Sequence, residues 1–202
     1  LKLLAIAIII FGARLWFIHN FGSSVPYWDQ WDGEAANVFL PWLNDTFTVT
    51  HLFAPHNEHR IVFTRLLSLG LLILNDRQWD PLLGMIVNAM LSTLTAIFLI
   101  VILHQLLGAV LQNFLFFSVA LLWTLPYAWE NILGGFHSCW YFFNLFTLLA
   151  FWGVLLHRHF TWQWWVGILS GLLAYFNLAT GFFALLVIVV IKLYLLTITT
   201  EN

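Results

Sequence analysis

Residues 82–105 read "LLGMIVNAMLSTLTAIFLIVILHQ", without a single Asp, Glu, Lys or Arg. A bilayer-crossing helix needs about 20 mainly apolar residues, and this run supplies them. Working outward, runs of the same kind cover 1–18, 109–128, 138–156, 163–178 and 182–198. Between the last two, Asn177-Leu178-Ala179-Thr180-Gly181 is the only break, and Gly181 permits a helix end or sharp turn there. Composition agrees with the spans. The chain is 62% hydrophobic and 8% charged, with 20 Phe and 12 Trp, where soluble domains are roughly half apolar and a quarter charged. A soluble chain with this balance would expose large apolar patches and aggregate. The expected fold class is therefore all-α: a polytopic transmembrane helical bundle of about six spans, with residues 1–202 as a single membrane domain. No internal repeat, low-complexity tract or flexible linker divides it.

A formal net charge of −2 with no basic cluster excludes nucleic acid as a partner. The lone Cys139 excludes an internal disulfide and reads as a small packing residue. The first apolar run resembles a signal peptide in length. It lacks a small-residue cleavage site and leads straight into Trp-rich sequence, so it reads as a retained span. The chain begins at Leu1 and ends soon after an apolar run, and we expect it to be the N-terminal part of a longer protein.

Residues 19–81 form a long loop, expected on the extracytoplasmic side. Within it, Ile61–Leu74 is too short to cross a bilayer, and Val62, Leu66, Leu69 and Ile73 fall on one helical stripe. That pattern predicts an amphipathic interfacial helix over about 61–74. The connection between 109–128 and 138–156 returns to the same side. Eight of the nine acids then share it: Asp29, Asp32, Glu34, Asp45, Glu58, Asp76, Asp80 and Glu130. The opposite side receives Lys2, Arg158 and a snorkelling Lys192. Trp28, Trp31, Trp42, Trp79, Trp129 and Trp140 flank the outer boundary as an aromatic belt, one or two of them placed to stack on a sugar. Arg14, near the outer end of the first span, either snorkels or pairs with a loop acid. Asn88 and Asn144 are expected to bond neighbouring helices.

Three polar segments could carry chemistry. In "VPYWDQWDGEAANVFLPWLND" (25–45), Asp29, Asp32 and Glu34 lie close together. Asp32 at a helix start is a natural N-cap with Glu34 in the first turn. The same carboxylates at an apolar boundary suit a general base that takes a proton from an alcohol. In "APHNEHRIVFTRL" (54–66), a helix starting near His56 would put His56, His59 and Arg60 on one face, and Glu58 with Arg65 on another. These donors could hold a phosphate, with arginine giving a bidentate contact. A divalent metal on His56 and His59 is the competing reading, although neither HExxH nor HxxEH is present. A solvated loop is the plain alternative. In "YAWENILGGFHSCWYFF" (127–143), Glu130, Asn131 and His137 stay near the membrane surface, within reach of the first loop's carboxylates.

The order of these parts resembles the N-terminal module of the GT-C superfamily, polytopic glycosyltransferases that use polyprenyl-phosphate sugars. Protein O-mannosyltransferases and lipid A aminoarabinose transferases are examples. Trp31-Asp32-Gly33-Glu34-Ala35 stands where the family's acidic motif opens the first external loop. Phe53–Arg60, including Pro55, occupies the Pro-containing entry to the interfacial helix. Gln78-Trp79-Asp80-Pro81 opens the second span, and Thr180-Gly181 resembles a later helix break. The chain is also similar to bacterial membrane proteins carrying "YWDQWD", "HNEHR" and "WEN…GF…S" segments. Two departures stand out. The family's adjacent acidic pair is here Asp32-Gly33-Glu34 with Asp29 as a rival, and a Lys-Pro-Pro type entry is replaced by Pro55-His56-Asn57-Glu58-His59-Arg60.

The resemblance implies an integral protein of the bacterial inner membrane with its site facing the periplasm. Asp32 or Asp29 would deprotonate a saccharide, lipid or protein acceptor, which attacks the anomeric carbon with inversion. Polyprenyl phosphate leaves, met by Arg60, His56 and His59, with Arg65 nearby. Glu58, Glu130 and His137 complete the expected substrate-binding set, and no cofactor is assigned. Two further classes remain open: a transporter or assembly subunit using this loop as a gate or docking surface, and an O-antigen ligase or polymerase-like enzyme. Transporters place charged sites near mid-membrane, whereas these charges gather at one surface.

Overall fold

The computed structural model describes residues 1–200, with side chains through Ile198. The described residues form helices and turns with no β-strand. The long helices are α1 (Lys2–Phe21), α5 (Pro81–Leu106), α6 (Ala109–Thr124), α8 (Ser138–Leu156), α9 (Trp162–Tyr175) and α10 (Gly181–Thr200). Between α1 and α5 come a π-helix (Gln30–Phe39), the short α2 (Leu40–Leu43) and α3 (Val49–Phe53), and then α4 (Val62–Leu74). The short α7 (Trp129–Leu133) and a 3₁₀ turn (Gly135–His137) precede α8.

Among the described residues, four stretches are long and apolar enough to cross a membrane: Lys2–Phe21, Pro81–Leu106, Gly135–Leu156 and Gly181–Ile198. The other two expected spans are shorter helices. At about 1.5 Å per residue, the 16 residues of α6 and 14 of α9 fall short of the roughly 30 Å hydrocarbon thickness. Local chemistry ends both early. Leu125-Pro126 leaves α6 in an extended conformation, as the residue before proline must. Helix α9 starts at Thr161, whose hydroxyl accepts from the Trp164 amide, and stops before Asn177.

Helix α4 differs from the expected stripe. Val62 and Leu69 are buried, but Leu66 and Ile73 are exposed. Its polar residues turn inward instead: Thr64, Arg65 and Ser68 are all buried. Each has a partner, with Thr64 Oγ1 accepting from Ser138 Oγ at 2.8 Å and Ser68 donating to Glu34. Helix α4 thus buries its polar residues together with Val62, Leu69 and Leu72, and leaves Leu66, Ile73 and Leu74 exposed.

The ends of α4 and α9 are joined head to tail. The Ile61 amide donates to Asn177 O at 3.2 Å and the Val62 amide to Phe176 O at 3.1 Å. Orphan donors at one helix start are thus satisfied by orphan acceptors at another helix end. Asn177, fully buried, donates from its side chain to Cys139 O at 2.7 Å. Ile61 takes φ 46° to make this join, an uncommon conformation for a β-branched residue. It is held by burial against Phe136, Cys139 and Leu178.

Glycines set two close approaches. Helix α5 begins with an Asp80 cap and Pro81 at its first position. Its Gly84 lies where a Cβ would come within 3.1 Å of Gly135 Cα. One turn on, Asn88 donates to both Gly134 O and Gly135 O at 3.0 Å, a turn rather than the neighbouring helix expected for it. Helices α8 and α9 cross at Gly153 and Gly167, where an added Cβ would meet opposing backbone at 2.6 and 2.8 Å. Gly167→Ala is therefore expected to destabilise the bundle by about 1–3 kcal/mol. Gly12→Ala, with nothing within 4 Å of its Cβ, should show no such loss in thermal unfolding in detergent.

Candidate functional site

The site is built around a turn. His56 N–H donates to His59 O and His59 N–H to His56 O, both at 2.9 Å. Asn57 lies between them at φ 50°, which asparagine tolerates better than most residues. The helix expected from His56 is absent, because these amides are spent on the turn. The two histidines consequently point to different partners, and no shared face with Arg60 forms.

His56 turns inward and is 6% exposed. Its Nε2 lies 3.7 Å from Asp29 Oδ2 and its Nδ1 3.5 Å from Asp32 Oδ2, with the Phe136 ring 5.1 Å away. Among the described residues neither ring nitrogen finds a hydrogen-bond partner. His59 instead accepts from the Ala179 amide at its Nδ1, 3.2 Å, and has Glu58 at 3.5 Å from Nε2. It thus pins the turn to the α9–α10 break. The two rings share no metal-binding direction, and among the described residues no three His, Cys, Asp or Glu side chains converge on a metal position.

The acids are placed by the π-helix. Asp29 stands before it and Asp32 in its first turn, and Asp29 makes no capping hydrogen bond. Asp32 is not the cap expected of it, since the helix already begins at Gln30. The wide π turn puts Gln30, Glu34 and Val38 on one buried face, at a four-residue spacing. Asp29 and Asp32 remain on the edge, 38% and 74% exposed. Gly33 touches the Phe136 ring so closely that any added Cβ would collide with it.

Glu34 is not with the other two acids. It is buried, accepting from Gln30 Nε2 at 2.9 Å and from Ser68. Burial pushes its carboxyl above the ordinary value, against hydrogen bonds from Ser68, Gln30 and Trp79 that favour the anion. Arg65 is also fully buried. Its Nη1 donates to the carbonyls of Leu52, Ala54 and Arg60. It therefore ties the 52–60 segment to α4 and does not pair with Glu58. Arg60 is exposed just beyond the turn.

A cavity of about 130 Å³ opens beside this cluster. Its wall includes Tyr27, Trp28, Asp29, Trp129, Glu130 and His137, with Phe136 between it and His56. His137 Nδ1 lies 3.1 Å from Glu130 O, which fixes the ring against α7. The structure thus brings Asp29, Glu130 and His137 to one cavity and Asp32 with His56 to its margin. Glu34, Glu58, His59, Arg60 and Arg65 do not line it. The chain matches no protein-family model, no curated protein and no solved structure. Sequence reasoning did not single out Tyr27 or Phe136. Tyr27 could have been found from its place beside Trp28 and Asp29.

Glu34 generates a test with a definite sign. Its folded-state proton affinity is raised, so the folded protein holds a proton that the unfolded chain has released. Stability is then greatest below the ordinary glutamate value and falls as pH rises through the raised one. Glu34→Gln is expected to remove that fall, leaving the variant as stable as wild type or more so at neutral pH. Thermal unfolding followed across pH in detergent measures it.

Proposed function

We propose that this chain belongs to a membrane glycosyltransferase. It moves a sugar from a polyprenyl-phosphate donor to an acceptor on the extracytoplasmic side, with Asp29 as the general base. The observation that carries this reading is the cavity itself: exposed aromatic faces of Tyr27, Trp28 and Trp129 beside the carboxylates of Asp29 and Glu130. Aromatic faces pack on the C–H faces of sugars, and a few placed carboxylates hold hydroxyls, which is what an orienting pocket requires.

Of the two rival acids, Asp29 lines the cavity and Asp32 does not. Asp29 takes the proton from the acceptor hydroxyl as its oxygen attacks the anomeric carbon. The bond from that carbon to the phosphate oxygen breaks, and polyprenyl phosphate leaves with the electron pair. His56 stands between the two acids and offers the proton a route from Asp29 to Asp32, which is open to solvent. The 3.5 and 3.7 Å separations exceed hydrogen-bond length, and catalytic contacts commonly tighten only with substrate bound. With His56 and His59 otherwise engaged, Arg60 is the cation of the 54–66 segment left to meet the leaving phosphate.

Full-length protein supplied with radiolabelled polyprenyl-phosphate sugars tests the scheme. Asp29→Asn is expected to lower transfer by about 10²–10⁴-fold, the usual contribution of a general base. Asp32→Asn should have a smaller effect, and Arg60→Ala should weaken transfer most at limiting donor. Unchanged transfer in Asp29→Asn sinks the base assignment.

A further inference from the structure

A second cavity lies on the other side of α7. Trp129, Glu130 and Leu133 of that short helix line the first cavity, whereas Asn131 and the preceding Ala128 line the second. The second has a volume of about 220 Å³, room for several waters at roughly 30 Å³ each. Its walls come from α1, α5 and α8, each long and apolar enough to cross a membrane, and from the ends of α6 and α7.

Arg14 of α1 points into it. The residue is only 9% exposed, and its Nη1 donates to Tyr141 Oη at 3.2 Å. Tyr141 Oη in turn donates a hydrogen bond to Asn131 O at 3.2 Å. A guanidinium carries five N–H donors, and Arg14 Nε has no partner. Among the described residues no carboxylate lies within 4 Å of it, contrary to the snorkelling or acid pairing expected for this residue. A buried cation with no counter-charge is strongly unfavourable, and in a membrane segment it marks a functional position. The rest of the lining carries no charge, with Ser92, Asn131 and Asn144 as polar groups beside the tryptophans Trp123 and Trp140. It contains no acid, and beyond its hydrogen bond and ring contact with Tyr141 the guanidinium is left open to an anion.

We propose that this cavity binds a phosphate group, with Arg14 as its charged anchor and Ser92 and Asn144 as neutral hydrogen-bonding groups. A guanidinium favours phosphate among anions because its fork can make two parallel bonds to one tetrahedral group. The position between span-length helices identifies the phosphate as one carried on a membrane lipid. The site stands apart from the glycosyl-transfer reading, which uses none of these residues.

The test uses full-length protein in a neutral detergent. Thermal stabilisation is titrated with dodecyl phosphate, with dodecanol and with inorganic phosphate, for wild type, Arg14→Gln, Arg14→Lys and Asn144→Leu. Dodecyl phosphate should stabilise wild type, and Arg14→Gln should raise the concentration required by at least about tenfold, the worth of one charge-assisted hydrogen bond. Arg14→Lys should recover part of the response. Asn144→Leu keeps Arg14 and removes one neutral hydrogen-bonding group, so its response should also weaken even if Arg14→Gln fails to fold. Inorganic phosphate acting as well as dodecyl phosphate would assign the site to a free phosphate instead of a lipid. A wild type that responds to dodecanol as to dodecyl phosphate, or variants that respond as wild type does, overturns the proposal.

Discussion

The arrangement depends on the join between the start of α4 and the end of α9. Two backbone amides, of Ile61 and Val62, meet two carbonyls, of Asn177 and Phe176. The positive end of one helix dipole faces the negative end of another. Because α9 is only 14 residues long, its carbonyls end at the depth where α4 begins. Everything upstream is positioned by that contact. The His56–His59 turn lies directly before it, His59 reinforces it through Ala179, and His56 is thereby set between Asp29 and Asp32. The left-handed Ile61 is the local strain that this geometry requires.

A second layer of constraint comes from α5. Gly84 and Asn88 hold the Gly134-Gly135 turn, and that turn sets Phe136 under Gly33 and His137 against Glu130. The two polar loops therefore meet through backbone approaches that tolerate no side chain. Close glycine contacts do here what ion pairs do in soluble sites. They give a fixed separation with no flexible side chain to order, in a part of the protein where free charges are scarce.

Much of this was legible in the sequence, and the exceptions have physical reasons. Hydropathy located all six apolar helices, and Asp29 of the first loop does meet Glu130 and His137 of the 127–143 connection at one cavity. Hydropathy does not report where a helix stops, so α6 and α9 proved shorter than their apolar runs. A π-helix has no sequence signature, since its i→i+5 bonds differ from an α-helix by one residue per turn. Glu34 could not be told from Asp32 for that reason. The turn at His56 was hidden because the 3- and 4-residue spacings of His56, His59 and Arg60 fit a helix face, although Asn57 is a residue that tolerates the turn's positive φ. The inward side of α4 was not legible because the expected stripe of Val62, Leu66, Leu69 and Ile73 was drawn from apolar residues alone, whereas Thr64, Arg65 and Ser68 are buried. Their partners, Ser138, three backbone carbonyls and Glu34, come from elsewhere in the chain.

Arg14 carries a consequence for biogenesis. An arginine inside a membrane span opposes insertion, by up to about 2.5–3.5 kcal/mol at a helix centre on translocon scales. Its hydrogen-bond partner Tyr141 lies 127 residues later in the chain, so α1 is synthesised long before that partner exists. The strongly apolar remainder of α1 must therefore carry the arginine into the bilayer by itself. Its final burial waits until α5 and α8 have been made. Helix α1 thus reaches its native surroundings only after α8 has been made, and this part of the bundle must be completed after α1 has been inserted.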